Sequence, residues 1–166
     1  LQRYENSRAY LTKAIRIFET RMGADNPETC SPIYSMAVLN IAEQKWNEAI
    51  DKLEKCLKVD VASLGPDHFW TLYTQSHLAV AYAGKGDRAK AKSLLEAAQL
   101  KAGAAIAGKA EKAAHFEIIW AEGYALLGDR VMASRLAMNA QKRIAAANFP
   151  KNHTWFRRID VVLDKP

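Results

Sequence analysis

The feature that most constrains this chain is an internal repeat with a period of 42 residues. The segment 79–88, AVAYAGKGDR, recurs as segment 121–130, AEGYALLGDR, with its matching residues 42 positions apart. The segment 23–29, GADNPET, precedes segment 65–71, GPDHFWT, by the same 42 residues. Self-similarity at one fixed period is the signature of proteins built from stacked units. The chain is therefore predicted to be a repeat solenoid.

Each repeat is predicted to contain two helices. Apolar residues around 72–83 and again around 89–100 follow the three-to-four spacing of an amphipathic helix. The Gly-Asp pairs at 86–87 and 128–129 predict the turns between the helices, because glycine ends a helix easily and aspartate caps the next one. In the first linker, Pro27 follows Asn26 and is predicted at the first helical position.

These residues resemble a known family. The residues that carry the resemblance are the small, aromatic and glycine positions Leu78, Ala79, Tyr82, Gly86, Ala91, Leu95 and Ala98. Together they are similar to the tetratricopeptide repeat signature, and the 42-residue period resembles the longer variety seen in kinesin light chains and bacterial repeat proteins. The resemblance implies an all-α fold, a right-handed superhelical solenoid of antiparallel helix pairs. It also implies protein binding rather than catalysis, with no enzyme activity and no cofactor.

The repeat register gives a map of the chain. We expect one domain over 1–166, with a half repeat at 1–22, repeats near 28–62, 68–102 and 110–147, and a closing helix near 152–164. Because the chain begins with what the register makes a second helix, we expect it to be a fragment of a larger protein. The first repeat departs from the pattern, since Asn40 and Gln44 stand where Tyr82 and Gly86 recur.

The net charge of +6 is concentrated near one end. Residues 130–166 hold eight Lys or Arg and two Asp, whereas the preceding residues balance. A basic surface is predicted at four of these residues, namely Arg135, Lys142, Arg143 and Arg158. A solvated face is the ordinary interpretation, and contact with an acidic partner is the alternative. Nucleic acid is not favoured as a partner, because the sequence contains no recognised nucleic-acid-binding motif.

The sequence contains no predicted membrane span. No apolar run approaches the roughly 20 residues that a transmembrane helix needs. The first residues also lack the charged, apolar and small-residue pattern of a signal peptide. The compartment stays open between cytoplasm and periplasm, with the cytoplasm favoured.

The sequence contains no complete motif for nucleotide binding or catalysis. The segment 103–110, GAAIAGKA, nearly spells a phosphate-binding loop, but Ala110 lacks the hydroxyl that would hold magnesium and the segment follows a helix. A loose linker between repeats is the favoured interpretation of this segment. The serines form no Ser-centred elbow and no Gly-rich or loop cluster holds paired carboxylates, so no catalytic residue is predicted.

Histidines and cysteines show no metal-ligand spacing. His77 and His115 both fall on the first helices of their repeats, where hydrogen-bonded or solvated roles are favoured over a metal-binding or pH-sensing pair. Cys30 and Cys56 are too few for a disulfide scaffold. We expect them to be core residues, and a single bridge between them is the alternative.

The concave groove is the predicted working surface. By the family's usual groove-facing positions, the partner-binding residues are Tyr34, Val38, Tyr73, Ser76, His77, Val80, His115, Ile118, Glu122 and Arg157, with Asp160 beside them. This mixture suits an extended or helical peptide, because aromatic groups supply anchor area and polar groups fix register. It does not resemble the family's carboxylate-clamp subtype. Replacing Tyr73 and Ile118 together by alanine is accordingly predicted to abolish binding with little loss of stability.

Two other roles remain open for the same fold. In the first role, the groove packs against another segment of the same protein. The chain is then the sensory or oligomerisation domain of a larger regulator, such as a bacterial transcription factor or kinase. In the second role, copies of the chain associate through the exposed ends of the repeat stack.

Overall fold

A computed structural model of the protein describes residues 2–150 and 153–164. Within these residues the regular secondary structure consists of helices alone, joined by turns and short linkers. The helices are α1 Gln2–Met22, α2 Pro27–Ala42, α3 Trp46–Leu64, α4 Phe69–Lys85, α5 Arg88–Ile106, α6 Ala110–Leu126, α7 Arg130–Ala146 and α8 Thr154–Asp164. The closing helix is predicted from near residue 152, which lies outside the described residues.

The helices form two layers. In the inner layer α4 packs on α6 and α6 packs on α8, while α2 lies beside α4 with a looser contact. The outer layer consists of α3, α5 and α7, each paired with the inner helix that precedes it. Helices α2 and α4 begin 42 residues apart, at Pro27 and Phe69. The predicted pairing of helices within each repeat is therefore present.

The linkers reuse the same local bonds in successive repeats. The hydroxyl of Thr29 donates to the carbonyl of Gly23 at 2.8 Å, and Thr71 donates to Gly65 at the same distance. The side chain of Asn26 accepts from the second residue of α2, as an N-cap does. Pairs of residues 42 apart therefore make equivalent bonds, because the sequence repeat is also a structural one.

The small residues of the repeat lie where helices approach most closely. Ala37, Ala79 and Ala121, one in each inner helix, are fully buried, as the repeat predicted. The larger rings of Tyr82 and Tyr124 are buried beside them. Alternation of small and large side chains lets neighbouring helices interdigitate at the density of a protein interior.

The segment that resembles a phosphate-binding loop is mostly helix. Helix α5 continues to Ile106, and a short turn at Gly108 separates it from α6. The prediction of a loose linker beginning at Gly103 is therefore wrong in its extent, because the alanine-rich sequence favours helix. Residues 103–106 are part of α5, so their N–H groups lie along the helix axis and do not wrap around a phosphate as a loop would.

In the turn of the first repeat, a residue other than glycine adopts a left-handed backbone conformation. Gln44 occupies the position of Gly86 and adopts a φ of +59°, in the left-handed region. Replacing Gln44 by glycine is expected to raise the free energy of unfolding by about 0.5–1 kcal/mol, since glycine adopts this conformation without strain. Urea denaturation measures the change.

The matched control is Gly86→Ala, where φ is +95°. This substitution is expected to lower the free energy of unfolding by about 1 kcal/mol. An unchanged midpoint for Gln44→Gly would show that its side chain compensates for the strain.

Candidate functional site

Tyrosine and histidine side chains link the helices of the inner layer. The hydroxyl of Tyr34 on α2 lies 2.8 Å from Nδ1 of His77 on α4. The hydroxyl of Tyr73 on α4 lies 2.8 Å from Nε2 of His115 on α6. The ring of Trp155 on α8 lies 4.6 Å from that of His115, centroid to centroid. These five residues form a continuous row, the inner-face aromatic row, across the four inner helices.

Burial keeps the two histidines neutral. It lowers the pKa of His77 to about 3 and that of His115 to about 4, and the positive charge of Arg158 acts in the same direction. A neutral imidazole has one free ring nitrogen that accepts a hydrogen bond from a hydroxyl. The tyrosines therefore hold the rings in place at neutral pH. Each histidine bonds to a tyrosine rather than to the other histidine.

An ion pair lies beside the aromatic row. Nε and Nη2 of Arg158 on α8 each donate to one carboxylate oxygen of Glu122 on α6, both at 2.7 Å. Arg158 is therefore paired with an inner helix, whereas it was predicted to be part of the basic surface. Its neighbour Arg157, the residue predicted to face the groove, is exposed on α8, and its contact with a partner stays a prediction.

The other three residues of the predicted basic surface differ in their surroundings. Nε of Arg143 donates to both carboxylate oxygens of the buried Glu117, at 3.1 and 3.0 Å. Arg143 is exposed on α7, as a basic surface requires, but part of its charge is neutralised by Glu117. Arg135 and Lys142 are exposed on α7, as expected for residues seven apart on one helix. Contact of these two residues with an acidic partner stays a prediction.

Several predicted groove residues belong to the core. Ser76, Val80 and Ile118 are 0%, 2% and 1% exposed, so they offer no surface to a partner. Ser76 also accepts a hydrogen bond from Nε1 of Trp120 at 2.9 Å. The correction has a geometric reason. The predicted face of each inner helix included the side that packs on the next inner helix.

The other predicted groove residues lie nearer the surface or within the row. Val38 is half-buried on α2, and Glu122 is half-buried on α6. Tyr34 and His115 are half-buried members of the aromatic row, while Tyr73 and His77 are its buried members. Asp160 is exposed on α8. Contact of these residues with a partner remains a prediction.

A cavity of about 410 Å³ lies between α2 and α4, with α3 behind it. Its lining comprises Pro27, Cys30, Ser31, Tyr34, Ser35, Cys56, Asp60, Leu64, Trp70, Tyr73 and Thr74. Asp60, Trp70 and Thr74 line the cavity and are not among the predicted site residues. A signal for Asp60 was available, because Ala102 and Ile144 follow it by one and two repeat periods and both are buried.

The two cysteines are free thiols. Both are buried, and Sγ of Cys56 lies 3.5 Å from the carbonyl oxygen of Cys30. The contact between the two thiols lowers the pKa of Cys30 and raises that of Cys56. Among the described residues, no three His, Cys, Asp or Glu side chains are grouped so that they could hold a metal ion.

Comparison with known proteins identifies the repeat. A tetratricopeptide repeat family profile matches residues 31–99. A crystal structure from Podosopora anserina, described as kinesin light chain with nearly identical TPR-like repeats, has a similar fold, with a TM-score of 0.60 and 21% sequence identity. The similarity covers 98% of this chain and 82% of that one. A search of curated protein sequences found no match.

The matched segment 31–99 spans α2 to α5 for the most part and is similar to the tetratricopeptide repeat family. The predicted all-α superhelical solenoid is confirmed. Repeats of this family are generally non-enzymatic scaffolds for protein–protein interaction. In the part of the chain that the structure describes, no helix has the length and apolar character of a membrane span.

Proposed function

We propose that the inner face of the solenoid binds an extended or helical segment of a partner protein. The observation that carries this proposal is the inner-face aromatic row together with the Glu122–Arg158 ion pair. These side chains are held by bonds within the protein before any partner arrives. A surface that is already ordered loses less conformational entropy on binding, so more of its contact energy becomes affinity.

The chemistry of the inner face suits a peptide. Trp70 is 55% exposed at the start of α4, and Trp155 is half-buried on α8. Large rigid rings of this kind supply most of the energy at many protein interfaces. The carboxylate of Glu122 and the guanidinium of Arg158 offer an acceptor and donors that fix the register of a bound backbone.

A matched pair of substitutions tests the proposal. Val38→Arg places a long charged side chain on the half-buried surface of α2, and Val131→Arg makes the same change at an 84% exposed position on α7. A displayed library of random peptides is selected against each variant. We expect Val38→Arg to weaken binding of the selected peptides by roughly ten-fold or more, and Val131→Arg to leave it unchanged.

Circular dichroism of both variants serves as the control for folding. Equal binding by both folded variants would place the binding surface elsewhere. Selection of no peptide by the unmodified protein would favour a groove filled by another part of the same protein.

A second role has its own support on α1. Tyr10 and Ile17, seven residues apart and therefore on one face, are both largely exposed. Apolar side chains on an open end of a repeat stack offer a surface for a further helix. This face suits a second copy of the chain or a neighbouring domain of a larger regulator.

A further inference from the structure

The cavity between α2 and α4 exists because one interface of the repeat is filled less completely than the next. Between α4 and α6, Phe116 is fully buried and packs against Phe69 at 5.4 Å between ring centroids. One repeat period earlier, the same two positions hold Thr74 and Pro27. Smaller side chains leave the space that the aromatic rings fill in the next repeat, and this space is the cavity.

A buried acid replaces a small apolar residue at the same interface. Asp60 stands one repeat period before Ala102 and is only 7% exposed. Thr74 donates a hydrogen bond to its Oδ2 at 2.8 Å. None of the ion pairs in the described part of the chain includes Asp60. Burial raises the pKa of this carboxyl, so the fold carries an electrostatic cost that alanine would avoid.

Aromatic rings form the walls around this acid. The rings of Tyr34 and Tyr73 lie 5.4 Å apart, and the ring of Trp70 stands at 85° to that of Tyr73. The hydroxyls of the two tyrosines are bonded to His77 and His115, which fixes the walls. A cation placed near an aromatic face is attracted to it, and the attraction grows when water is excluded.

We propose that this cavity binds the cationic side chain of a lysine or arginine in the partner peptide, with the carboxylate of Asp60 as its counter-ion. The proposal rests on the function proposed for the inner face and adds the residue class that it selects. The carboxylate supplies the charge complement, and the rings of Tyr34, Tyr73 and Trp70 surround the aliphatic stem. Ser31 and Ser35, exposed at the rim, offer hydroxyls to the peptide backbone.

The size of the cavity and the adjacent repeat agree with such an occupant. A volume of about 410 Å³ lies toward the lower end of the range of ligand pockets and accommodates one long side chain with a few waters. In the next repeat, Lys112 occupies the position of Trp70 and places its Nζ 4.2 Å from the centre of the Phe69 ring. An ammonium group on an aromatic ring is therefore already present at the equivalent interface.

A titration with small probes tests the cavity without any partner. The probes are n-butylammonium and n-butanol, which share an alkyl chain and differ in charge. Each is added at constant ionic strength while the indole N–H resonance of Trp70 is followed by NMR. We expect saturable binding of n-butylammonium, at least roughly ten-fold tighter than that of n-butanol. Equal responses to the two probes would overturn the proposal.

Variants separate the acid from the shape of the cavity. Asp60→Asn keeps an acceptor for Thr74 and removes the charge, and it is expected to reduce n-butylammonium binding roughly ten-fold to the level of n-butanol. Asp51→Asn, at an exposed position on the same helix, is the matched control and should bind as the unmodified protein does. Thr74→Phe restores the residue of the next repeat and should exclude both probes. Unchanged cation binding by Asp60→Asn would contradict the proposal.

The peptide library distinguishes this proposal from the one on which it rests. Peptides selected by the unmodified protein should carry Lys or Arg at a fixed position, and those selected by Asp60→Asn should lose that preference. If the selected peptides share no basic position, the inner face would still be a binding surface and the cation site would be contradicted. Probe binding without any selected peptide would retain the cation site and reject peptide binding.

Discussion

Alanine at both Tyr73 and Ile118 is expected to cost the protein most of its stability. Ile118 is almost fully buried, and Tyr73 is buried within the inner-face aromatic row, where it also bonds to His115. Truncation of a buried isoleucine costs about 2–5 kcal/mol, and loss of a buried aromatic ring costs about 3–5 kcal/mol. The sum is comparable with the total stability of a typical domain, about 5–15 kcal/mol.

This expectation reverses the prediction from the sequence, in which the pair was to abolish binding and leave stability intact. Thermal unfolding of the single and double variants, followed by circular dichroism, measures the effect. Tyr10→Ala serves as the control, because Tyr10 is 74% exposed on α1. A double variant that melts within a few degrees of the unmodified protein would place both side chains at the surface.

Mild acid is expected to destabilise the fold through its two buried histidines. The ordinary pKa of 6.5 applies in the unfolded chain, whereas in the folded protein burial lowers the pKa of His77 to about 3 and of His115 to about 4. The contribution of the neutral histidines to stability is therefore fully present above pH 6.5 and decreases below it. The unfolded chain takes up protons in that range that the folded protein excludes. At about pH 5 the loss is on the order of 2 kcal/mol for each histidine, and less for the half-buried His115.

The carboxyl groups oppose this trend at lower pH. Burial raises the pKa of Asp60 and Glu117, so the folded protein binds their protons before the unfolded chain does. Their contribution increases stability as the pH falls toward the ordinary carboxyl range. The histidines therefore dominate between the ordinary histidine pKa of 6.5 and about pH 5.

Urea denaturation at several pH values in this window measures the effect. His77→Gln and His115→Gln keep a side chain that can accept a hydrogen bond from a tyrosine and cannot be protonated in this range. Each variant should remove about half of the pH dependence. If the double variant loses stability in acid as steeply as the unmodified protein, the titrating groups lie elsewhere.

The fold could be predicted from the sequence because it depends on residues that recur. Ala37, Ala79 and Ala121 are buried because the period brings each of them to the same close helix contact. Asp87 and Asp129 cap α5 and α7 as the Gly-Asp pairs indicated. A repeat supplies several independent copies of one local pattern, so an error in one copy does not change the assignment.

The proposed binding face was harder to predict because it depends on differences between repeats. A helix in the inner layer has one side against the next inner helix and another toward solvent, and the spacing of apolar residues does not separate them. Ile118 and Val80 were assigned to the groove for this reason and are core residues. Arg158, which pairs with Glu122, and Asp60, which lines the cavity, stand where the repeat pattern is broken. These departures from the pattern indicate the candidate site.

Site-specific photo-crosslinking tests the central claim, that the inner face is the surface that binds a partner. A benzophenone amino acid is introduced in place of Val38 on the inner layer in one sample and in place of Val131 on the outer layer in another. Both samples are irradiated with the peptides selected from the library. The account predicts an adduct from position 38 and none from position 131, and adducts from position 131 alone, or equally from both, would contradict it.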